Sequence, residues 1–265
     1  MITCEGLAFS WSGRRVVDEL SFTVPDGRVL GIVGPNGSGK TTALRLISGA
    51  LRPEAGRVLL DGQPLDHLSQ RMLARRVAVV AQHEMSDAAL TVTDTVMLGR
   101  IPHRAMLASP TSRDYEVCAH ALQQVGIAAL AQRSAARISG GEAQRAVIAR
   151  ALAQQADHIL LDEPTNHLDL HHQHEVLHLI RDTGATCVVV LHDLNLAARY
   201  CDEVLLLDQG RLVASGPPSE VLSTANIEQI YRIPAEVITL ASGTIHLILG
   251  EDTAAEPATT TARTR

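Results

Sequence analysis

The sequence predicts an α/β fold with a parallel sheet at its centre and a mostly helical lobe set into it. Three observations predict this. First, Arg28-Val29-Leu30-Gly31-Ile32-Val33 reads as a buried strand and runs straight into Gly34-Pro35-Asn36-Gly37-Ser38-Gly39-Lys40-Thr41-Thr42, after which Thr42 to Ser48 reads as a helix. Second, further apolar runs end in polar side chains: Val77 to Ala81 in Gln82, Ile159 to Leu161 in Asp162-Glu163, and Thr186 to Leu191 in His192-Asp193. The carboxyl ends of parallel strands are where open α/β sheets gather ligands. Third, residues 83–135 change from strand-like runs to helical periodicity. A length of 265 residues suits one large α/β domain, or one carrying an inserted lobe.

The remaining elements follow in order. Residues 1–25 read as three short strands, Ile2 to Ser10, Arg14 to Val17 and Leu20 to Val24, parted by Ser12-Gly13 and closed by Pro25-Asp26-Gly27. Leu51 to Gly56 is a loop, Arg57 to Asp61 a strand, and Ser69 to Arg75 a helix. In the lobe, Val92 to Arg100 and Tyr115 to Val125 read as helices, the second capped by Ser112. Ser139-Gly140-Gly141 opens a helix to about Gln154, and the loop Asn166 to Asp169 precedes another to about Arg181. Glu203 to Leu207 and Arg211 to Ala214 are strands around the turn Asp208-Gln209-Gly210. Pro218 to Leu222 and Ala225 to Tyr231 are short helices, followed by a hairpin through Ser242-Gly243. From about Gly250 the composition turns to Ala, Thr, Glu and Pro, and residues 250–265 are expected to be a disordered tail.

Residues 34–42 have the Gly-x4-Gly-Lys-Thr pattern of a phosphate-binding loop. Its glycines let backbone N–H groups curl inward around an anion, Lys40 reaches the β- and γ-phosphates, and the Thr41 hydroxyl ligates Mg²⁺. The helix that follows adds the positive end of its dipole. Of the 23 basic residues 22 are Arg, and Lys40 is the only Lys; a compact ammonium suits a closed loop where a guanidinium fork does not. Asp162 is suited to Mg²⁺, and Glu163 to orienting and deprotonating water. Alone, the pair reads equally as solvated acids at a strand end; the upstream phosphate loop favours chemistry. Ser139-Gly140-Gly141 is a second anion-competent helix start or a plain capping turn. Trp11, the only Trp, either stacks on an adenine or packs on a sheet edge. His192 contacts a γ-phosphate or is an ordinary strand-end His.

A net charge of −6 with scattered signs leaves no basic footprint, and 2% aromatic residues provide no base-stacking platform, so no nucleic-acid partner is expected. Cys4, Cys118, Cys187 and Cys201 lack metal or redox spacing and read as reduced core residues. No apolar run reaches the roughly 18–20 residues of a membrane span, and no signal segment opens the chain, so any membrane role is expected to come through partners. His171, His174 and His178 fall on one helix face at i, i+3, i+7; a solvated face is the simpler reading, metal binding the alternative.

Taken in order, Trp11, the loop at 34–42, Gln82, Ile138 to Arg145, Leu160 to Glu163, Asp169 and His192 resemble an ATP-binding-cassette ATPase over about residues 1–250. Ser-Gly-Gly-Glu is the discriminating motif. The resemblance implies a RecA-like P-loop core with an antiparallel β subdomain and an inserted helical signature subdomain (about 83–155) within an ATPase domain of residues 1–249. It implies ATP and Mg²⁺ as ligands, and roles for each matching residue. Trp11 stacks on adenine. Gly34, Pro35, Asn36, Gly37, Ser38, Gly39, Lys40, Thr41 and Thr42 hold phosphates and Mg²⁺, with Gln82 and Asp162 on the metal side. Glu163 is the catalytic base, with Gln82 and His192 completing the catalytic set. Ser139, Gly140 and Gly141 close over the γ-phosphate bound to a second subunit, and Asp169 lies in the loop crossing that dimer. Departures are small: Ile138 stands where Leu is usual, Ala143 for a common Gln, Trp11 for Tyr.

Within the family, the stretches 89–100, 191–200 and 216–222 resemble ATPase subunits of bacterial importers for iron chelates, haem and cobalamin, with ferric siderophore favoured. The implied partners are a second ATPase copy, two transmembrane permease subunits and, through them, a periplasmic or lipid-anchored substrate-binding protein. The implied place is peripheral, on the cytoplasmic face of the inner membrane. Two rivals are weaker. A DNA or ribosome clamp would need a coiled-coil insertion, a second cassette or a basic surface. A GTPase would need Asn-Lys-x-Asp, which a chain with Lys40 alone cannot carry.

Overall fold

A computed structural model describes residues 1–81, 90–105, 108–166 and 168–250. The chain opens with β1 (Ile2–Trp11) and β2 (Arg14–Val24), an antiparallel pair about the Ser12-Gly13 turn. β2 is one strand where two short ones were expected. Glu19 takes φ +52°, and the pairing slips from Leu7↔Leu20 to Phe9↔Val17, a bulge that bends the strand without ending it. The fully buried β3 (Val29–Val33) delivers the chain to the glycine loop, and α1 (Lys40–Ile47) leaves it. β4 (Ala55–Leu60) pairs with β1 and the short β5 (Gln63–Pro64) with β4, completing an antiparallel sheet of order β2-β1-β4-β5. α2 (Gln70–Arg76), capped by Ser69, leads into β6 (Val77–Val80).

Three helices then stand together. α3 (Val92–Met97) starts from a Thr91–Asp94 capping box and runs into a tight turn at Leu98–His103. α4 (Ser112–Gln124) is capped by Thr111, one residue before the expected Ser112. The Thr111 side chain accepts from the Asp114 N–H while the Asp114 carboxylate accepts from the Thr111 N–H, a reciprocal pairing that Ser112 could not make with this spacing. α5 (Gly140–Ala153) starts from a third such box, Ser139–Glu142.

The core alternation resumes with β7 (His158–Asp162), α6 (Leu170–Asp182), β8 (Thr186–Val190), α7 (Leu194–Tyr200), β9 (Glu203–Asp208) and β10 (Arg211–Gly216). α7 is an element the sequence pattern did not announce. α8 (Pro218–Val221), α9 (Thr224–Tyr231) and the hairpin β11 (Ala235–Thr239), β12 (Ile245–Leu249) close the described chain.

The central sheet has the order β10-β9-β3-β8-β7-β6, parallel except for β10. Its side chains alternate between two cores. Ile32, Leu160, Val188 and Leu205 face α1 and the antiparallel sheet; Val33, Leu161, Val189 and Leu206 face the helices on the other side. β3 lies between β8 and β9, so its loop emerges mid-sheet. Gly31 lets α7 approach: a Cβ there would stand 2.6 Å from Cys201 Sγ. The four cysteines are free and buried, as expected. Among the described residues no helix is long and apolar enough to cross a membrane.

The helical lobe holds a buried ion pair. Arg100 Nε donates to Asp114 Oδ1 at 3.0 Å, and its Nη1 donates to the Ala153 carbonyl at 2.8 Å and to Gln155 Oε1 at 2.9 Å, so one guanidinium joins the α3 end, α4 and the α5 end. Donation from the Thr111 backbone and hydroxyl, then from Arg100, brings the Asp114 carboxyl down to about 2. Arg100→Leu strands that carboxylate out of water. Unfolding stability should fall by about 3–5 kcal/mol, read from urea denaturation; a loss below about 1 kcal/mol would rule out the buried-pair account.

Candidate active site

The carboxyl ends of β3, β7 and β8 meet on one edge of the sheet, and each contributes one part of the site. At the first, Gly34 leaves β3 with φ +149°, and the loop closes at Gly39, φ +101°, which caps α1 without a side-chain bond. A Cβ on Gly39 would lie 2.5 Å from the Val16 carbonyl oxygen, so β2 backs the loop directly. Gly210, in the β9–β10 turn, meets the same oxygen and donates its N–H to the Ser38 carbonyl at 3.0 Å. The first turn of α1 carries no acidic residue, leaving its N–H groups and dipole to the loop.

Lys40 folds back inside the loop. It is 6% exposed, and its Nζ donates to the Gly34 carbonyl at 2.7 Å and to the Pro35 carbonyl at 2.9 Å. Burial lowers its pKa, and the carboxylates of Glu163 and Asp162 oppose that shift. Asp162, the last residue of β7, is also buried and accepts from Thr41 Oγ1 at 3.2 Å. Burial raises its pKa, the Thr41 donation pulls it back, and Glu163 adds to the rise.

Glu163 sits just past β7 in the left-handed region, φ +53°. Such a conformation in a non-glycine residue costs of order 1–3 kcal/mol and is held by its surroundings. Here the Glu163 N–H donates to the Val190 carbonyl at 3.2 Å, tying it to the end of β8. The His192 Nε2 lies 2.5 Å from Oε1, and Asn166 Nδ2 donates to Oε2 at 2.6 Å. Asn166 was missed in the sequence reading, although it lies only three residues past Glu163, within reach of a tight turn.

The donor set fits a triphosphate with Mg²⁺. Ser38 Oγ is buried without a hydrogen-bond partner among the described residues, in the loop that also holds the Lys40 ammonium. Thr41 and Asp162 together offer a hydroxyl and a carboxylate oxygen of the kind a hard cation takes.

Other expected site residues lie apart from this cluster. Ser139 and Gly140 are exposed at the start of α5, and among the described residues no hydrogen bond joins Ser139, Gly140 or Gly141 to the loop at 34–42. Asp169 caps α6, accepting from the His172 N–H at 2.9 Å, and is otherwise exposed. Trp11 ends β1 at 47% exposure with its ring edge-on to Phe9, 5.1 Å between centroids, on the hairpin whose other strand backs Gly39. Gln82 lies outside the described residues, as do residues 251–265 of the expected tail. The three-His face is not uniformly solvated: His174 Nδ1 lies 2.6 Å from the buried Tyr200 hydroxyl and His178 packs edge-on against that ring, while His171 points out to Glu175. Among the described residues no group of three or more His, Cys, Asp or Glu is placed to hold a metal ion.

A family model described as ABC transporter matches residues 17–166, from β2 through both carboxylates. The chain belongs to the ABC transporter family. It is an ATPase of that family, on the same RecA-like core. Curated relatives include the ferric enterobactin transport ATP-binding protein FepC of Escherichia coli (strain K12), 39% identical over 88% of both chains. The hemin import ATP-binding protein HmuV of Nocardia farcinica is 44% identical over 86% of this chain and 80% of that one. Among solved structures, an ABC transporter in an inward-facing conformation superposes with a TM-score of 0.81 at 30% identity, covering 95% of this chain and 98% of the other. A bacterial ABC cassette solved as a dimer gives 0.74 at 26% identity, covering 82% and 99%.

The raised Asp162 pKa has a direction that can be measured in this ABC ATPase. Below the unfolded value near 3.8 both states are protonated and nothing is lost; as pH rises through the higher folded value, ionising the buried carboxyl costs stability. Asp162→Asn should therefore raise the melting temperature of the nucleotide-free chain at about pH 7, with the gain vanishing toward about pH 4, while ATP turnover collapses. Thermal melts across pH in chelator check this, and a gain that grew toward acid would reverse the assignment.

Proposed function

We propose that the chain is the ATP-hydrolysing subunit of a membrane importer for an iron chelate, most specifically a ferric siderophore. The observation that carries the chemistry is Glu163, held through both oxygens by His192 and Asn166 beside the Lys40 loop. In this reading the loop N–H groups, Ser38 and Lys40 hold the β- and γ-phosphates, and Trp11 stacks on the adenine. Thr41 and Asp162, with Gln82, would hold Mg²⁺, which would supply positive charge against that of the phosphates. Glu163 accepts a hydrogen bond from the attacking water and takes its proton, while His192 orients the carboxylate and faces the γ-phosphate.

The proposed active unit is a head-to-tail dimer, in which Ser139, Gly140 and Gly141 of one copy cover the phosphate held by the other and Asp169 lies along the join. The exposure of the Ser139 turn supports this, since it is a helix start with no partner phosphate loop in its own chain. The dimer in turn docks on two permease subunits at the cytoplasmic face of the membrane, with a substrate-binding protein on the far side. Residues 1–249 form the ATPase unit, the helical block at about 83–155 is its signature subdomain, and 250–265 is a tail outside it.

The named cargoes of the relatives support iron chelates: ferric enterobactin, iron(3+)-hydroxamate and petrobactin. Haem is the second reading, favoured by the 44% identity to a hemin import protein. ATPase stimulation in a reconstituted complex, by ferric chelate against hemin, decides between them. For the chemistry, Glu163→Gln should cut ATP turnover by about 10²–10⁴-fold and leave ATP binding intact, with dimers accumulating in ATP by light scattering. Turnover at the wild-type rate would remove Glu163 from the base role.

A further inference from the structure

The turn after β7 carries the Glu163 carboxylate, and its successive carbonyls are each held by a donor. The Glu163 carbonyl accepts the Asn166 N–H at 3.2 Å. The Thr165 and Leu168 carbonyls accept Gln173 Nε2, from α6, at 3.3 and 3.1 Å. Between these, the Pro164 carbonyl accepts Gln144 Nε2 at 3.2 Å, and Gln144 belongs to α5, the helix that opens at Ser139. The helical lobe therefore reaches the turn one residue past Glu163.

Pro164 has no N–H, so its carbonyl is its one backbone hydrogen-bonding group, and its ring fixes φ at about −65°. A shift of that carbonyl is taken up by its neighbours. One is Glu163, whose φ of +53° is held by its surroundings. The other side leads to Asn166, whose side chain donates to Glu163 Oε2. The core fastens Glu163 from the opposite direction, through the Val190 carbonyl. The far end of α5 is seated as well: Gln154 Nε2 donates to the Ala74 and Val77 carbonyls at 2.6 and 2.7 Å. Gln144 lies about 7.5 Å along the helix axis from Ser139, so the exposed Ser139 turn and the Pro164 contact move as one piece.

We propose that Gln144 is a positioning residue for ATP hydrolysis: through the Pro164 carbonyl, the helix whose start is offered to a second copy also sets the Glu163 carboxylate of its own chain. This rests on the ATPase and dimer reading above. In that dimer the Ser139 turn of each copy would meet the partner's phosphate, and the same helix would bring its own base into place. Gln144 acts on backbone alone in this account, so its loss slows turnover and spares ATP binding.

The test uses the full-length chain. Gln144→Met keeps the length of the side chain and deletes the donor, Gln144→Glu sets an acceptor against the carbonyl, and Gln144→Lys restores a donor at similar reach. Turnover at saturating ATP should fall about three- to tenfold in Gln144→Met, the loss of one hydrogen bond, and further in Gln144→Glu, while Gln144→Lys recovers about half the wild-type rate or more. The ATP Kd by calorimetry should stay within about twofold, and the melting temperature within about 2 °C. Unchanged turnover in Gln144→Met and Gln144→Glu with an active wild type would overturn this inference alone. Equal losses in Gln144→Met and Gln144→Lys would do the same, as would a loss that only tracks a lowered melting temperature or a raised Kd. A wild type that neither binds nor hydrolyses ATP would overturn it together with the proposed function.

Discussion

Three ionisable side chains share one poorly hydrated region: the Lys40 ammonium and the Asp162 and Glu163 carboxylates, each under 9% exposed. One positive charge faces two negative ones, and removing all three from water is costly unless the geometry is closely met. The directions of the shifts record that cost, with Lys40 lowered and Asp162 raised by burial. Most of the surrounding construction supplies hydrogen bonds to these groups: two loop carbonyls for Lys40, a threonine for Asp162, an asparagine and a histidine for Glu163. The remaining negative charge is an electrostatic reason for such a site to favour a divalent cation.

The sheet makes this concentration possible. A parallel strand ends where its neighbour ends, so β3, β7 and β8 release their chains at the same edge and in register: Ile32 beside Val190, and Val190 beside Asp162. Both sheet faces are covered by apolar cores, which keeps the strand-end groups from being solvated from below. β2 and the β9–β10 turn then wall the loop, bringing Val16 and Gly210 against Gly39 and Ser38. The loop is held less by its own sequence than by backbone from these two places packed against it.

What could be read from the sequence was what is local. The glycine loop, the apolar strand with acids at its end and the helix opened at Ser139-Gly140-Gly141 are short local patterns, and each lies where its residues predicted. The misreadings are also local in origin. Thr111 and Ser112 are both good caps, and only the reciprocal bond to Asp114 chooses between them. The bulge at Glu19 looks like a break in a linear pattern but continues as a strand in three dimensions. The helical spacing of His171, His174 and His178 was right, yet Tyr200 on the neighbouring α7 takes a contact from two of them, the half-buried His174 and the still exposed His178. Gly210 on Ser38 depends on tertiary approach, and no pattern in one chain announces such a pair, whereas Asn166 on Glu163 is a contact across one turn.

The separation of the two anion-competent helix starts is itself mechanistic. The loop before α1 is walled by its own chain, whereas the Ser139 turn is exposed at the head of the lobe and its side-chain bonding is spent on Glu142. A phosphate bound at the first cannot draw in the second without another copy to present it, so the proposed closed dimer is stabilised by whatever the γ-phosphate adds across the join. A ligand shifts an equilibrium only by its difference in affinity for the two states. In the proposed dimer a nucleoside triphosphate would have that difference, because its terminal phosphate would reach the facing helix start. A diphosphate, seated in the same loop by the same lysine, would lack the bridging group and leave the proposed dimer open. In that dimer, hydrolysis would change the preference between states without having to dislodge what the loop holds, and a membrane partner docked on the lobe would sense that change as motion.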